Sequence, residues 1–323
     1  MKALSTGRRA TVVAFLGVFL SGCAASQTQS LPQGAPYSQA IEHSTRSRVG
    51  PGSSGSDLLY ISGYSVSKGA TTFVLTYPAG KLISTLPLAA YGMCTDASGN
   101  VYMTNENAVV EYPHGGTSPV RTVRIPGAQT MYCSVDPTTG DLAVTFDCPP
   151  CGYENLAIFP PGSTTSTRYT APEAIECAYD SNGNLFLVGY GGGQLAELPA
   201  GSSSFTTINL NKDIPSVGQL RWDGSYITLQ SLETPTEIYR ISTSGSVGTI
   251  VGETKFNRYM KRVGYSWISG GTVALPFTVH GNEPKQIGIW KYPNGGHASS
   301  IIKKVGTGDT NFGALTVSVA PSR

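Results

Sequence analysis

From residue 57 to residue 323 the apolar positions fall in short runs, each closed by a cluster of Asp, Gly, Asn, Ser or Pro. Runs this short, bounded by turn formers, predict β-strands joined by tight turns. The pattern then repeats. Residues 92–105 carry Cys94, then Asp96, Gly99 and Asn100, then the run Val101-Tyr102-Met103. Residues 177–188 carry Cys177, Asp180, Gly183 and Asn184 before Leu185-Phe186-Leu187-Val188, and residues 133–144 do the same with a slightly longer turn from Asp136 to Gly140. An aspartate accepts hydrogen bonds from the backbone just ahead of it, and glycine takes the positive φ that closes the turn, so each copy predicts a β-hairpin.

A second mark follows each hairpin: Tyr77-Pro78, Tyr112-Pro113, Phe159-Pro160, Leu198-Pro199, Tyr239-Arg240 and Tyr292-Pro293. The apolar member is expected to end a third strand and the proline to open the turn into a fourth, since proline has no N–H for a ladder. Successive marks lie about 43 residues apart on average, the period of a four-stranded propeller blade. The expected fold is therefore all-β, a six-bladed β-propeller of four-stranded blades over 57–323. Its first blade begins at a second strand, Leu58 to Ser62, and the run Phe312 to Val319 is expected to supply the missing innermost one. Closure by this C-terminal strand, joined to the N-terminal blade, removes an exposed sheet edge.

Residues 1–56 read differently. Lys2, Arg8 and Arg9 precede an apolar run from Ala10 to Leu20, the order of a secretory signal peptide, here 1–22. The run would span roughly 16 Å as a helix, well short of a bilayer core of about 30 Å, so a cleaved signal is expected rather than a membrane span. Leu20-Ser21-Gly22-Cys23 resembles the lipobox of bacterial lipoproteins, which implies acylation of Cys23 and a membrane partner through the lipid anchor. Ala24 in the next position implies sorting to the outer membrane where the source has two. Residues 23–56 are rich in Ser, Gln, Gly and Pro and are expected to form a flexible tether.

Charge changes the picture once. The formal net charge of +2 includes the three signal-peptide cations, which leaves 19 basic against 20 acidic residues. No basic patch is present for nucleic acid, so no nucleic-acid partner is expected. A monomer is expected. Charged residues make up only 13% of the chain, and the 39 glycines are enriched over the usual share of about 7%, as turn-rich β-structure requires.

The glycine-turn repeat resembles the NHL-repeat propellers and their gluconolactonase-like and virginiamycin B lyase-like relatives. Residues 133–144, together with Ala196-Glu197-Leu198-Pro199-Ala200-Gly201-Ser202 and Gln219-Leu220-Arg221-Trp222-Asp223-Gly224, are more closely similar to an uncharacterised bacterial family of secreted propellers. That resemblance implies a fold and no activity. Function on such a fold belongs to the loops between second and third strands and to the connections entering the inner strands, which meet at one channel mouth. Binding candidates there are Tyr64, Tyr91, Asn105, Phe146, Tyr153, Glu176, Tyr190, Asp213, Glu233, Tyr259, His280 and Asn311. Aromatics beside polar groups suit a glycan, a peptide or an envelope protein.

The favoured reading is a non-catalytic binding or interaction module with no cofactor. The alternative is a lactonase-type or lyase-type enzyme with Ca2+ at the mouth. That ion needs six to eight oxygens, which Glu176, Asp213, Asn105, Glu233 and Asn311 share no spacing to supply. His280 is the sole candidate for a general base, because His43 falls in the tether and His114 and His297 fall in outer turns. Cys148-Pro149-Pro150-Cys151 is expected to be a structural disulfide, since a redox pair usually draws its low thiol pKa from a helix N-terminus and this loop offers none. Cys94, Cys133 and Cys177 lie on consecutive inner strands, where either a cross-blade disulfide to Cys94 or small buried thiols fit.

Overall fold

The aspartate turns fold as the local chemistry dictates. Asp96 Oδ1 accepts the N–H groups of Ser98 and Asn100, both at 2.9 Å, and Asp180 Oδ1 accepts those of Asn182 and Asn184 at 2.8 and 2.9 Å. Gly99 and Gly183 close these turns, each at φ 81°. The computed structural model describes residues 55–65, 69–172, 174–189, 192–256, 259–280, 285–303, 305 and 310–321, without the side chains of Ser65, Thr310 and Asn311. All belong to the compact unit Arg46–Arg323.

The described strands form antiparallel meanders. β1 (Leu58–Ser65), β2 (Gly69–Thr76) and β3 (Leu82–Leu86) make the first; β4 (Met93–Thr95), β5 (Val101–Asn105), β6 (Ala108–Tyr112) and β7 (Arg121–Arg124) the second; β8 (Gln129–Val135), β9 (Leu142–Asp147), β10 (Leu156–Phe159) and β11 (Thr167–Tyr169) the third. The fourth comprises β12 (Glu176–Tyr179), β13 (Leu185–Val188), β14 (Gln194–Leu198) and β15 (Thr206–Leu210), and the fifth β16 (Val217–Trp222), β17 (Ile227–Ser231), β18 (Glu237–Ser244) and β19 (Val247–Lys255). Next come β20 (Arg262–Val263), β21 (Trp267–Ser269), β22 (Thr272–Thr278), β23 (Gln286–Lys291) and β24 (Gly295–Ile302), and then β25 (Thr310–Ser318). β20 and β21 both pair with β22, as one inner strand interrupted at Gly264–Ser266. β25 pairs with β1, giving the order β25-β1-β2-β3. A short parallel pairing of β15 with β19, Asn209 to Val247 and Leu210 to Gly248, joins the fourth and fifth meanders into one eight-stranded sheet.

Alternation along each strand explains why the runs are nearly all apolar. Leu58 and Tyr60 of β1 pack with Met93, Val101 and Met103 of the second meander. Leu59 and Ile61 pack from the other face with Ala274, Ile287 and Ile289. Both faces are buried, so hydrophobic and polar positions cannot alternate. The inner strands β25, β4, β8, β12, β16 and β21 touch in that order, and β21 touches β25.

A polar residue near the end of several second strands ties each meander to the next. Ala90 N–H donates to Ser62 Oγ, while Thr104 Oγ1 donates to the Met131 carbonyl and Thr145 Oγ1 to that of Ile175, all at 2.6 Å. Gln230 Nε2 donates to the Gly264 carbonyl at 2.9 Å, and Gln230 Oε1 accepts Ser266 N–H at 2.9 Å. Buried connections thus keep their backbone groups paired.

Two sequence readings need correction. Tyr239-Arg240 does not end a strand: β18 runs on to Ser244 and the turn falls at Gly245, φ 55°. His297 lies in β24 rather than in a turn.

Candidate functional site

Alternate turns of an antiparallel meander lie at opposite ends, so the fold has two faces. One carries the aspartate hairpins and the turns into the outer strands. The other carries the loops between second and third strands and the connections into the inner strands. On this loop face Tyr64 is 59% exposed, Tyr91 47%, Tyr153 88% and Tyr259 68%, and no other Phe, Tyr or Trp side chain among the described residues is exposed. The remaining exposed large hydrophobics, Leu82, Ile83, Val120, Val247, Val251 and Val319, are all aliphatic.

Beneath this face the inner strands bring together side chains from sheets that are not neighbours. Tyr132 of β8 and Tyr265, beside β21, meet edge to face with centroids 5.0 Å apart. Arg221 of β16 donates from Nη2 to the Met93 carbonyl in β4 at 3.0 Å. Within the eight-stranded sheet, Gln219 Nε2 of β16 donates to Glu176 Oε2 of β12 at 2.6 Å. Glu176 is 1% exposed. Burial pushes its carboxyl well above the usual carboxylate range, and the Arg221 charge, the Leu220 N–H and the Tyr132 hydroxyl offset only part of that. Burial likewise lowers the Arg221 guanidinium, with Glu176 opposing. Glu176 Oε1, Arg221 Nε and Ser266 Oγ are buried without a hydrogen-bond partner. A neutral carboxylic acid here costs less than a carboxylate. Gly92 admits the packing, because a Cβ there would lie 2.7 Å from the Met131 carbonyl oxygen and from the Tyr132 ring.

The sequence candidates therefore separate. Tyr64, Tyr91, Tyr153 and Tyr259 stand on the loop face. Phe146 does not: it is 2% exposed within β9, with the Arg168 guanidinium 5.9 Å from its ring centroid. Glu176 also leaves the mouth, as an inner-strand residue of the buried cluster. Asn105 donates Nδ2 to the Ala89 carbonyl at 2.6 Å and so fastens a connection. Asp213 lies against Gly193, where a Cβ would come within 2.4 Å of its Oδ1. Glu233 follows β17, its N–H bonded to Ser231 Oγ at 3.3 Å. His280 is exposed, and its carbonyl accepts the Thr278 hydroxyl. Asn311 pairs with Tyr64 across the β1–β25 ladder. Tyr190 and Cys23 lie outside the described residues. Among the described residues no three His, Cys, Asp or Glu side chains come close enough to hold a metal ion.

The cysteines resolve into Cys94–Cys133, joining β4 to β8 over a separation of 39 residues, and Cys148–Cys151 within the β9–β10 loop. Cys177 is a free, buried thiol.

The other face holds clefts the sequence did not suggest. One of about 590 Å³ opens between the second and third meanders and is lined by Asp96, Tyr102, Glu111 and Arg121, among others. Its polar groups satisfy one another: Arg121 Nε meets Glu111 Oε2 at 2.7 Å and Tyr102 donates to Asp96 Oδ2 at 3.1 Å. The next cleft round, about 410 Å³, includes Asp136, Asp141, Tyr169 and Tyr179. Pairs that close on themselves position the sheets and leave few groups to select a ligand.

No protein-family model matches the chain, and no curated protein matches it. Solved structures do. A Bacteroides caccae protein of unknown function is similar at TM-score 0.56 and 9% identity, over 81% of this chain and 99% of that one. A chain from a nidogen–laminin complex is similar at TM-score 0.58 and 11% identity, over 82% and 100%. The Swd1 (Cps50) β-propeller domain of Myceliophteria thermophila is similar at TM-score 0.52 and 12% identity, over 82% and 97%. At these identities the likeness concerns architecture, and with the meanders above it makes this chain a β-propeller.

Proposed function

We propose that the protein is a lipid-anchored, extracytoplasmic interaction module, a six-bladed ring closed by β25 that binds its partner on the loop face. One observation carries the reading: all the exposed Phe, Tyr and Trp side chains among the described residues stand on that face. Tyrosines offer apolar area and a hydroxyl at little entropic cost, as an interaction surface needs. Below that face Tyr132 with Tyr265 and Arg221 with the Met93 carbonyl bridge inner strands of non-neighbouring sheets, a braced base on which a ligand would rest. A glycan, a peptide or an envelope protein fits this chemistry. The anchor rests on Leu20-Ser21-Gly22-Cys23 and the tether on residues 23–56.

Two measurements test the reading. Thermal shift of the protein against glycan and peptide panels should find a ligand that stabilises it by about 2.7 kcal/mol at a hundred times its Kd. The combined Tyr91→Ala, Tyr153→Ala and Tyr259→Ala variant should lose that shift. A ligand that the triple variant still binds would place recognition elsewhere. For the anchor, Cys23→Ala should release the protein from the membrane fraction, and unchanged retention would refute lipidation at that residue.

A further inference from the structure

The loop between β9 and β10 holds chemistry that the binding role leaves unused. Cys148 and Cys151 are bonded across a separation of three residues. Cys148 is 4% exposed, whereas Cys151 is partly exposed, so a thiol arriving from solvent meets the Cys151 sulfur first. Arg168, in β11, places Nη1 3.8 Å from Cys151 Sγ, and Glu154 Oε2 holds the same Nη1 at 3.2 Å. These are the charged side chains in contact there; Asp147, exposed, ends β9 just before Cys148. A guanidinium beside a cysteine favours its thiolate. The positive charge that a helix terminus would lend comes instead from a neighbouring strand. Cys94 and Cys133, 3% and 1% exposed, are buried beyond such access.

We propose that Cys148–Cys151 is a redox-active disulfide that exchanges with dithiols, with Cys151 as the sulfur attacked and later released and Arg168 as the residue that positions charge for its thiolate. The incoming thiolate bonds to Cys151 Sγ. The Cys148–Cys151 bond breaks, and its electron pair leaves on Cys148 Sγ, which takes up a proton. The second thiolate of the dithiol then attacks its own sulfur in the mixed disulfide and expels Cys151 as a thiolate facing Arg168. The dithiol loses two electrons and becomes a disulfide, and the loop gains them as a cysteine pair. A leaving thiol of lowered pKa departs faster, so Arg168 acts on this second step.

The test uses the full chain equilibrated in graded mixtures of reduced and oxidised dithiothreitol, then quenched with acid, alkylated and mapped by mass. Cys148 and Cys151 should become labelled in mixtures that leave Cys94 and Cys133 bonded. With the loop reduced, Arg168→Gln should move the pH profile of Cys151 alkylation upward by about one unit, roughly a tenfold slower reaction at neutral pH. Arg168→Lys should restore most of the rate, and Glu154→Gln should move the profile down by freeing the guanidinium. Reduction of both disulfides in the same mixture, or a profile unmoved by Arg168→Gln in a folded variant, would overturn the proposal.

Discussion

The inner strands and the loop face hold the same chemical set, a disulfide, an arginine and tyrosines, and use it differently. Inside, Cys94–Cys133 bonds strands of different sheets, Arg221 bonds a carbonyl 128 residues away, and Tyr132 packs on Tyr265. Outside, Cys148–Cys151 closes one loop, Arg168 pairs with Glu154 from that loop, and Tyr153 faces solvent. What separates the two sets is how much chain each contact constrains and how much water it excludes. The inner set joins distant parts of the chain, whereas the outer set can change state while the fold persists.

Matched substitutions across the two regions can break that contrast. The tyrosines should differ most: Tyr132→Ala should cost about 3–5 kcal/mol in chemical denaturation, as for other buried aromatics, and Tyr153→Ala should stay within about 0.5 kcal/mol. Equal costs would mean that Tyr132 does not pack as a core residue. Arg221→Ala should cost about 1–3 kcal/mol by leaving the buried Met93 carbonyl without its donor, against less than about 1 kcal/mol for Arg168→Ala, whose ion pair is partly exposed. Removing Cys94–Cys133 should cost about 4 kcal/mol and Cys148–Cys151 about 2 kcal/mol, since loop-closure entropy grows with the chain enclosed.

The last prediction concerns sign. The folded pKa of Glu176 lies above its unfolded value. Its contribution is therefore complete below about pH 4.3 and is lost as pH rises through the raised folded value. Denaturation midpoints of Glu176→Gln should fall less than those of the parent over that window. Parallel curves would show that the carboxyl is ionised in place.

What the sequence made legible was local. Asp96, Asp136 and Asp180 bond to groups within four residues, so their turns could be read without knowing the fold. The closing strand was legible too, because β1 lacked an inner partner and the run from Phe312 was left to supply one. The errors came where burial on both faces erased the cues. Phe146 and Glu176 read as loop residues because nothing near them alternates, and both lie in strands. Tyr239-Arg240 mimicked a strand end by spacing alone, while the actual turn was marked by Gly245. Glu176 and Arg221, like Cys151 and Arg168, come together through inter-strand packing that has no signature in spacing. Their charge relations could be found only in three dimensions.

The pairing of β25 with β1 sets a timetable for biogenesis. β1 is made first, but its inner partner arrives roughly 250 residues later, which at about 5–20 residues per second is some tens of seconds of synthesis. Until then Leu58 to Ser65 present an unpaired ladder edge, the kind of edge that recruits strands from other chains. An intermediate stalled before β25 is therefore sticky, and a truncation that removes Thr310–Ser318 should promote aggregation through the first sheet.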